Sequence, residues 1–354
     1  MIRDLKCALL RLCEMLGLFR LSSLAFNGRL HILCYHGFQV RDECRFRPML
    51  FISRETFAAR LNHIRSAGFV VLPLGAAIDR LKAGTLPKRA VAITIDDGFA
   101  STFSVAAPLL HEFGFPATVY VTTYYVEKGT PVFRLAMQYV FWKAGAPPLT
   151  RLAALAQSKG WPKPAAAATA DEYMWALIEH GEALGSEPER QAMIADVATT
   201  LGIDARTITA ERLVSLLSPE ELRTLAAQGF DIQLHTHTHR FPRDDDARAR
   251  AEIQENRSRL ESLTGRQALH FCYPSGIYST SQWPLLNALG VSSATTCLSG
   301  SNTPTTPLYE LRRFLDSEDV RPIEFRAELA GINEFLRMLK GRRGTAAPAR
   351  ADIA

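Results

Sequence analysis

The chain has 354 residues, 47% of them hydrophobic and 22% charged, with a formal net charge of +5. This ordinary globular composition excludes a charge-driven disordered chain and leaves room for one large α/β barrel or two smaller domains. Much of the positive surplus lies in Arg337, Lys340, Arg342, Arg343 and Arg350, so residues 331–354 read as a helix end with a dangling basic tail rather than a nucleic-acid surface.

Residues 1–26 are rich in leucine, but Arg3, Asp4, Lys6, Arg11, Glu14 and Arg20 interrupt the run. Without an unbroken apolar stretch or a small-residue cleavage site, no signal peptide is predicted. Asp4, Arg11 and Glu14 fall near one helical face, with Leu and Met around the rest. Residues 1–27 therefore read as one amphipathic helix, either packed on the domain or lying on a membrane surface. No later segment has the roughly 20 apolar residues of a spanning helix. The six cysteines (Cys7, Cys13, Cys34, Cys44, Cys272, Cys297) show no C-x-x-C and read as free thiols. That points to a reducing compartment, cytoplasmic or peripheral on the inner membrane face.

Seven short apolar runs follow in chain order. They are residues 31–35 before His36, 69–72, 90–95 before Asp96 and Asp97, 117–121, 230–234 before His235, 269–273 before Ser275, and 291–296. Helical patterns lie between several of them, at residues 57–64, 219–225 (behind Ser218 and Pro219) and 247–263. Such alternation predicts a mostly parallel sheet, and about seven units fit a closed or partly closed barrel. In barrels of that kind the C-terminal strand ends build the active site. His36, Asp96, Asp97, His235, His239 and Ser275 all stand just past an apolar run. Residues 127–217 are Ala-rich, helix-prone and too long for a connection, so they read as a helical insertion or lid, or as a small helical subdomain.

Asp96-Asp97-Gly98 alone is more often a turn than a site. Three histidines in the five residues from His235 to His239, out of nine in the chain, are harder to read as structural. A zinc-type hydrolase needs about three protein ligands and one open position, with a base, an acid and oxyanion donors nearby. Neighbouring side chains diverge at a strand end, so one aspartate could hold metal while the other acts as base. His235 and His239 share a face if their segment is helical; His235, His237 and His239 share one if it is extended. Two rival readings are an amidohydrolase-type barrel using His235 and His237, and a non-catalytic glycan- or metal-binding protein. A glycosidase is disfavoured, because its carboxylates should face each other about 5 Å or more apart.

Thr94-Ile95-Asp96-Asp97-Gly98, His235-Thr236-His237-Thr238-His239 and Phe271-Cys272-Tyr273-Pro274-Ser275-Gly276 together resemble the polysaccharide deacetylase family (carbohydrate esterase family 4, NodB-like domain). The first two are similar to that family's T-F-D-D-G and H-[ST]-x-x-H motifs, the third to F-R-P-P-Y-G or F-A-Y-P-x-G. The resemblance spans residues 28–330 apart from the insertion and implies a distorted (β/α)7-type barrel. It makes Asp96 the catalytic base and Asp97, His235 and His239 the ligands of a divalent metal, Zn2+. The Ser275 N–H becomes an oxyanion donor, and Tyr273 shapes the groove. Two departures stand out. Cys272 replaces an Arg that pairs with the base, and Arg313 is the candidate to supply that charge. No late L-x-H motif is present, and Cys34-Tyr35-His36-Gly37 resembles the early acid element of one branch, making His36 the candidate acid. The implied activity is metal-dependent N-deacetylation of an N-acetylated glycan or lipid-linked sugar.

Overall fold

Strand formation follows the apolar runs closely, and the alternation of those runs with helices sets the sheet. The computed structural model describes residues 2–162 and 169–339. Among the described residues ten strands occur in this order: β1 (Leu30–Tyr35), β2 (Gly37–Phe38), β3 (Phe51–Ile52), β4 (Val70–Val71), β5 (Ala90–Ile95), β6 (Thr118–Val121), β7 (Asp231–Leu234), β8 (His270–Cys272), β9 (Ser293–Thr295) and β10 (Phe314–Leu315). All seven predicted runs form strands of a single parallel sheet, ordered β10-β1-β5-β6-β7-β8-β9, with β4 beside β5. β2 and β3 make a separate two-stranded sheet.

The sheet curls because its strands are staggered. β4 pairs with the start of β5 (Val70↔Ala90), whereas β6 pairs with its end (Thr94↔Thr118). Such a shear is what bends a sheet toward a barrel. The seam lies between β9 and β10. Leu311 bridges Thr295, with its N–H on the Ala294 carbonyl and its carbonyl accepting from Thr296 N–H. Three residues later β10 pairs with β1 at Leu33↔Phe314 and Cys34↔Leu315. The segment 311–315 thus carries the chain across the gap, giving a distorted barrel.

Alternation assigns the two faces of each strand. Leu30, Ile32, Ala90, Ala92, Tyr120 and Cys272 form one cluster with the helix Leu74–Lys82. Leu33, Tyr35, Val91, Ile93, Val119 and Leu234 belong to the other, larger cluster. Every residue of β1 and β5 is buried, as expected of parallel strands covered on both sides. Within residues 127–217 the principal helices are Phe133–Ala144, Leu149–Lys159, Ala170–Ala183, Glu187–Leu201 and Ala205–Ala210. Phe133, Met137, Leu152, Ile178 and Val197 from these helices join the larger cluster. The bridge Pro131↔Ser215 ties the two ends of the segment to each other, and Phe99↔Leu216 fastens its C-terminal end to the turn after β5.

Two expectations for the termini change. Residues 1–27 form two helices, Ile2–Met15 and Leu18–Ala25, instead of one, because Gly17 takes a left-handed φ of 74° between them. On one side Cys7, Leu10 and Phe19 pack against Ile323, Ala327 and Ala330. Ion pairs Arg3–Asp319, Lys6–Glu324 and Glu14–Arg326 fix that side. The other side leaves Leu5, Leu9, Leu12, Met15, Leu16, Leu21 and Leu24 exposed. Arg337, expected in a dangling tail, belongs to the helix Ile332–Leu339 and pairs with Glu328 and Glu334. Lys340, Arg342, Arg343 and Arg350 lie outside the described residues.

Candidate active site

Asp96 and Asp97 leave β5 in different directions because the chain turns left-handed there, at φ 68° for Asp97 and 78° for Gly98. The turn is anchored by Asp96 N–H on the Tyr35 carbonyl and Gly98 N–H on the Asp96 carbonyl, both at 2.8 Å. Gly98 is required twice over, since a Cβ there would also lie 3.1 Å from a Val121 methyl. Among the described residues six non-glycines have positive φ, and four of them (Asp97, Thr236, His239, Ser275) line these strand ends. Such backbone is costly for residues with a side chain and clusters where geometry is over-determined by its surroundings.

On one side of the turn, His235 Nε2 lies 3.1 Å and His239 Nε2 3.3 Å from Asp97 Oδ1. The three side chains could hold one metal ion. His235 Nδ1–H donates to the Cys272 carbonyl at 2.9 Å, so whenever the ring is neutral its lone pair is on Nε2. A bare nitrogen facing a carboxylate oxygen is repulsive unless a proton or cation lies between them. Asp97 Oδ2 is buried with no hydrogen-bond partner among the described residues. Burial resists ionisation of Asp97, but the bonds from His235 and His239 outweigh it and hold its carboxyl well below the ordinary range. Burial likewise resists charge on His235, and Cys272 and Asp97 overcome it, raising that imidazole. The donor set, two imidazoles and one carboxylate with an unsatisfied oxygen, fits a catalytic zinc-type cation.

The histidine segment is neither helical nor extended. Left-handed Thr236 (φ 64°) and His239 (φ 60°) fold it into a turn that presents His235 and His239 together, rings 4.8 Å apart. His237 faces elsewhere. Its Nδ1 meets Thr123 Oγ1 at 2.9 Å, and its carbonyl accepts from Thr122 Oγ1 and Tyr124 N–H. Two residues of the helix Asp246–Thr264 support the turn. Asn256 Oδ1 accepts His235 N–H at 3.0 Å while its Nδ2 donates to the Val121 carbonyl. Glu252 accepts from Thr238 N–H at 2.8 Å. Sequence reasoning missed both. The available signal was a pair of polar residues at i and i+4 on the buried face with Ala249, Ile253 and Leu260.

On the other side, Arg313 grips Asp96 with two hydrogen bonds of 2.7 Å. Its Nε–H donates to the Thr296 carbonyl at 2.9 Å, and the side chain is fully buried. Cys272 and Cys34, at 3.2 and 3.5 Å, donate thiol hydrogens to Asp96 Oδ2. Burial would raise Asp96, but the Arg313 guanidinium outweighs it and keeps the carboxylate charged far into acid. His36 Nε2 stands 3.9 Å from Asp96 Oδ2. Burial pushes this imidazole below its ordinary value despite Asp97 and Asp96, so it rests neutral.

The third predicted element lies past β8. Ser275 adopts φ 55° and ψ 14° in the tight turn Pro274–Gly276. A Cβ at Gly276 would fall 2.7 Å from Cys297 Sγ. Tyr273 is buried, stacks on Tyr278 at 5.0 Å and donates its hydroxyl to the Tyr309 carbonyl. It therefore backs the turn rather than offering its hydroxyl to a ligand. A cavity of about 260 Å³ opens beside Asp97 and His239, walled by Tyr124, Tyr125, Arg134 and Glu182.

The polysaccharide deacetylase family model matches residues 83–157 and 183–294, which include both aspartates, the histidine turn and β8. No curated protein matches the chain. Solved structures share the fold. The Streptococcus pyogenes deacetylase PplD, in complex with acetate, is 16% identical with a TM-score of 0.57, over 85% of this chain and 98% of that one. IcaB from Ammonifex degensii is 18% identical with a TM-score of 0.52, over 86% and 96%. A de-N-acetylase from Aggregatibacter actinomycetemcomitans is 14% identical with a TM-score of 0.53, over 84% and 98%. The family match covers more than half of the sequence and holds the Asp-Asp and His-x-x-x-His elements in their structural setting, so the chain belongs to the polysaccharide deacetylase family, hydrolases of carbohydrate N-acetyl amide bonds.

Proposed function

We propose that this site removes the acetyl group from an N-acetylated amino sugar of a glycan or lipid-linked precursor, with Asp97, His235 and His239 holding a Zn2+ ion. The observation that carries the reading is the convergence of both Nε2 atoms on Asp97 Oδ1, at 3.1 and 3.3 Å, with Oδ2 left without a partner. When bound, the cation polarises the acetamide carbonyl and acidifies water. Asp96, held on the opposite side of the turn, receives the proton of the attacking water. Clamped by Arg313 it is a weak base, so it gives that proton up readily. Its neighbour His36, 3.9 Å from Oδ2, is neutral at rest and able to accept the proton and deliver it to the departing amine. The Ser275 N–H donates to the carbonyl oxygen as negative charge develops on it. Asn256, Cys34 and Cys272 keep His235 and Asp96 in place. Acetate and a free amino sugar are the products.

Metal analysis coupled to acetate release over a panel of N-acetylhexosamine substrates tests this reading. We expect about one Zn2+ per chain and acetate from at least one substrate, both lost with a chelator. A protein that holds the metal and releases acetate from none of them would refute it.

We also infer that the enzyme works at the cytoplasmic face of a membrane. The two N-terminal helices expose leucines, and Phe335 and Leu336, also exposed, stand on the helix Ile332–Leu339, which packs against the helix Leu18–Ala25. Phe26 packs on Gly331 between these elements. Exposed Arg11 and Arg20 flank the leucines, and Lys340, Arg342 and Arg343 follow the last helix in sequence. Apolar side chains bordered by basic ones suit an anionic lipid surface. Vesicles containing phosphatidylglycerol should pellet the protein, and Leu9→Glu with Leu12→Glu should abolish pelleting. Equal pelleting of both proteins would reject this part of the proposal.

A further inference from the structure

The cavity beside Asp97 and His239 is walled by four arginines, Arg134, Arg190, Arg240 and Arg248, against one carboxylate besides Asp97, that of Glu182. The four are not equivalent. Arg190 is held by the Gly181 carbonyl at 3.0 Å, the Tyr124 hydroxyl at 2.8 Å and Glu187 at 3.1 Å, so it is a fixed part of the wall. Arg134 makes a two-pronged pair with Glu182, both contacts at 2.7 Å. Arg240 has only a 3.7 Å approach to that same carboxylate, and its side chain is 59% exposed. Arg248 is exposed and its side chain has no ion-pair or hydrogen-bond partner among the described residues. Glu182 balances Arg134, Glu187 balances Arg190, and two guanidiniums at the mouth are left over.

Position makes the surplus meaningful. Arg240 directly follows His239 in the chain, and both line the same cavity as Asp97. A group bound there lies next to the reacting acetamide. Phe99, Val132, Leu135 and Leu216 form an apolar part of the wall, suited to the carbon face of a sugar ring. Guanidinium forks match the oxygens of phosphoryl and carboxylate groups, and such charge-assisted bonds are the strong ones. An uncharged polymer offers them only neutral hydroxyl and amide acceptors, with no opposite charge.

Resting on the deacetylase reading, we propose that this cavity selects N-acetyl sugars carrying an oxyanion beside the acetamido sugar, a phosphoryl or a carboxylate group, with Arg240 and Arg248 as the specificity-determining residues. Arg134 and Arg190 form the fixed wall and Glu182 sets its net charge. The segment that carries Arg134, Glu182 and Arg190 is then a substrate-binding element.

The test compares acetate release by the metal-loaded full chain from neutral N-acetylglucosamine oligomers, N-acetylglucosamine 1-phosphate, prenyl-diphosphate-linked N-acetylglucosamine and a uronate-containing oligomer. A higher kcat/KM for oxyanion-bearing substrates than for neutral ones is expected, and the preferred member identifies phosphoryl or carboxylate. Arg240→Glu and Arg248→Glu should each cut that selectivity ratio on the order of tenfold, chiefly through KM. Arg248→Lys should keep most of it, and added salt should erode it. Neutral substrates used as well as charged ones, with the ratio unmoved by Arg248→Glu, would overturn the proposal and leave the deacetylase reading intact. If no substrate yields acetate, the deacetylase reading fails instead. Calorimetric binding then decides this site: N-acetylglucosamine 1-phosphate bound no better than the methyl glycoside overturns it, and tighter binding that Arg248→Glu removes supports it.

Discussion

Arg313→Met should abolish acetate release and destabilise the protein by roughly 3–5 kcal/mol at neutral pH, the usual effect of leaving one half of a buried ion pair alone. Asp96 is buried, and its partners besides Arg313 are two thiols, both weak donors, and His36 at 3.9 Å. Without the guanidinium, burial dominates and the carboxyl takes up a proton, so the base is lost along with the stability. In the wild type the folded-state value of Asp96 is depressed by Arg313, so its contribution is complete above the unfolded carboxylate pKa and fades as pH falls toward the folded value. The gap between wild type and variant should therefore be widest at neutral pH and narrow in acid. Denaturant melts at several pH values measure it. Adding Asp96→Asn to the variant removes the buried ionisable group, and with it the cost of protonating it at neutral pH, and should recover part of the stability, a double-mutant cycle with large positive coupling. An Arg313→Met protein as stable and active as wild type would show that the pair has no role. Arg313→Lys should not substitute, because an ammonium cannot make both 2.7 Å bonds at once.

The second large effect separates two neighbours of identical chemistry. Asp96→Asn should retain the metal and lose activity on the order of 100- to 10,000-fold, the range for removing a general base. Asp97→Asn should lose both metal and activity, since the oxygen on which both histidines converge becomes part of a neutral amide. Metal content by mass spectrometry and acetate release, measured on both proteins, give the answer. If Asp96→Asn loses metal as completely as Asp97→Asn does, the two carboxylates share one task and the division proposed here is wrong. Asp96 also lies close to His235, but both of its oxygens are held by Arg313, whereas both histidine Nε2 atoms converge on Asp97.

The barrel was legible in the sequence because its strands are buried on both faces and therefore read as continuous apolar runs. Polar residues at the ends of those runs were visible for the same reason. The remainder was hidden where structure arises from long-range closure. β10 has two residues, too few for any periodicity, so Arg313 could be suggested as a partner for Asp96 but not located. The histidine turn rests on left-handed Thr236 and His239, which neither a helical nor an extended pattern anticipates. Asn256 and Glu252 stand in a helix whose sequence is strongly charged, and only its packing shows that these two polar groups face inward. The break at Gly17 divides a leucine pattern that reads smoothly through it. The sequence shows Cys272 in place of an arginine; that its thiol and Cys34's both point at Asp96 follows from strand register, which a single sequence does not display.

Asp96 and Arg313 are 217 positions apart, and Arg313 lies on the short segment that spans the seam of the barrel. During synthesis the aspartate therefore leaves the ribosome long before its counter-charge exists. Until the segment carrying Arg313 has been made, Asp96 has no guanidinium to hold its charge. The segment 311–315 both bridges the seam and brings Arg313 to the carboxylate. A chain that stops before Arg313 carries Asp97, His235 and His239 but leaves Asp96 without its counter-charge.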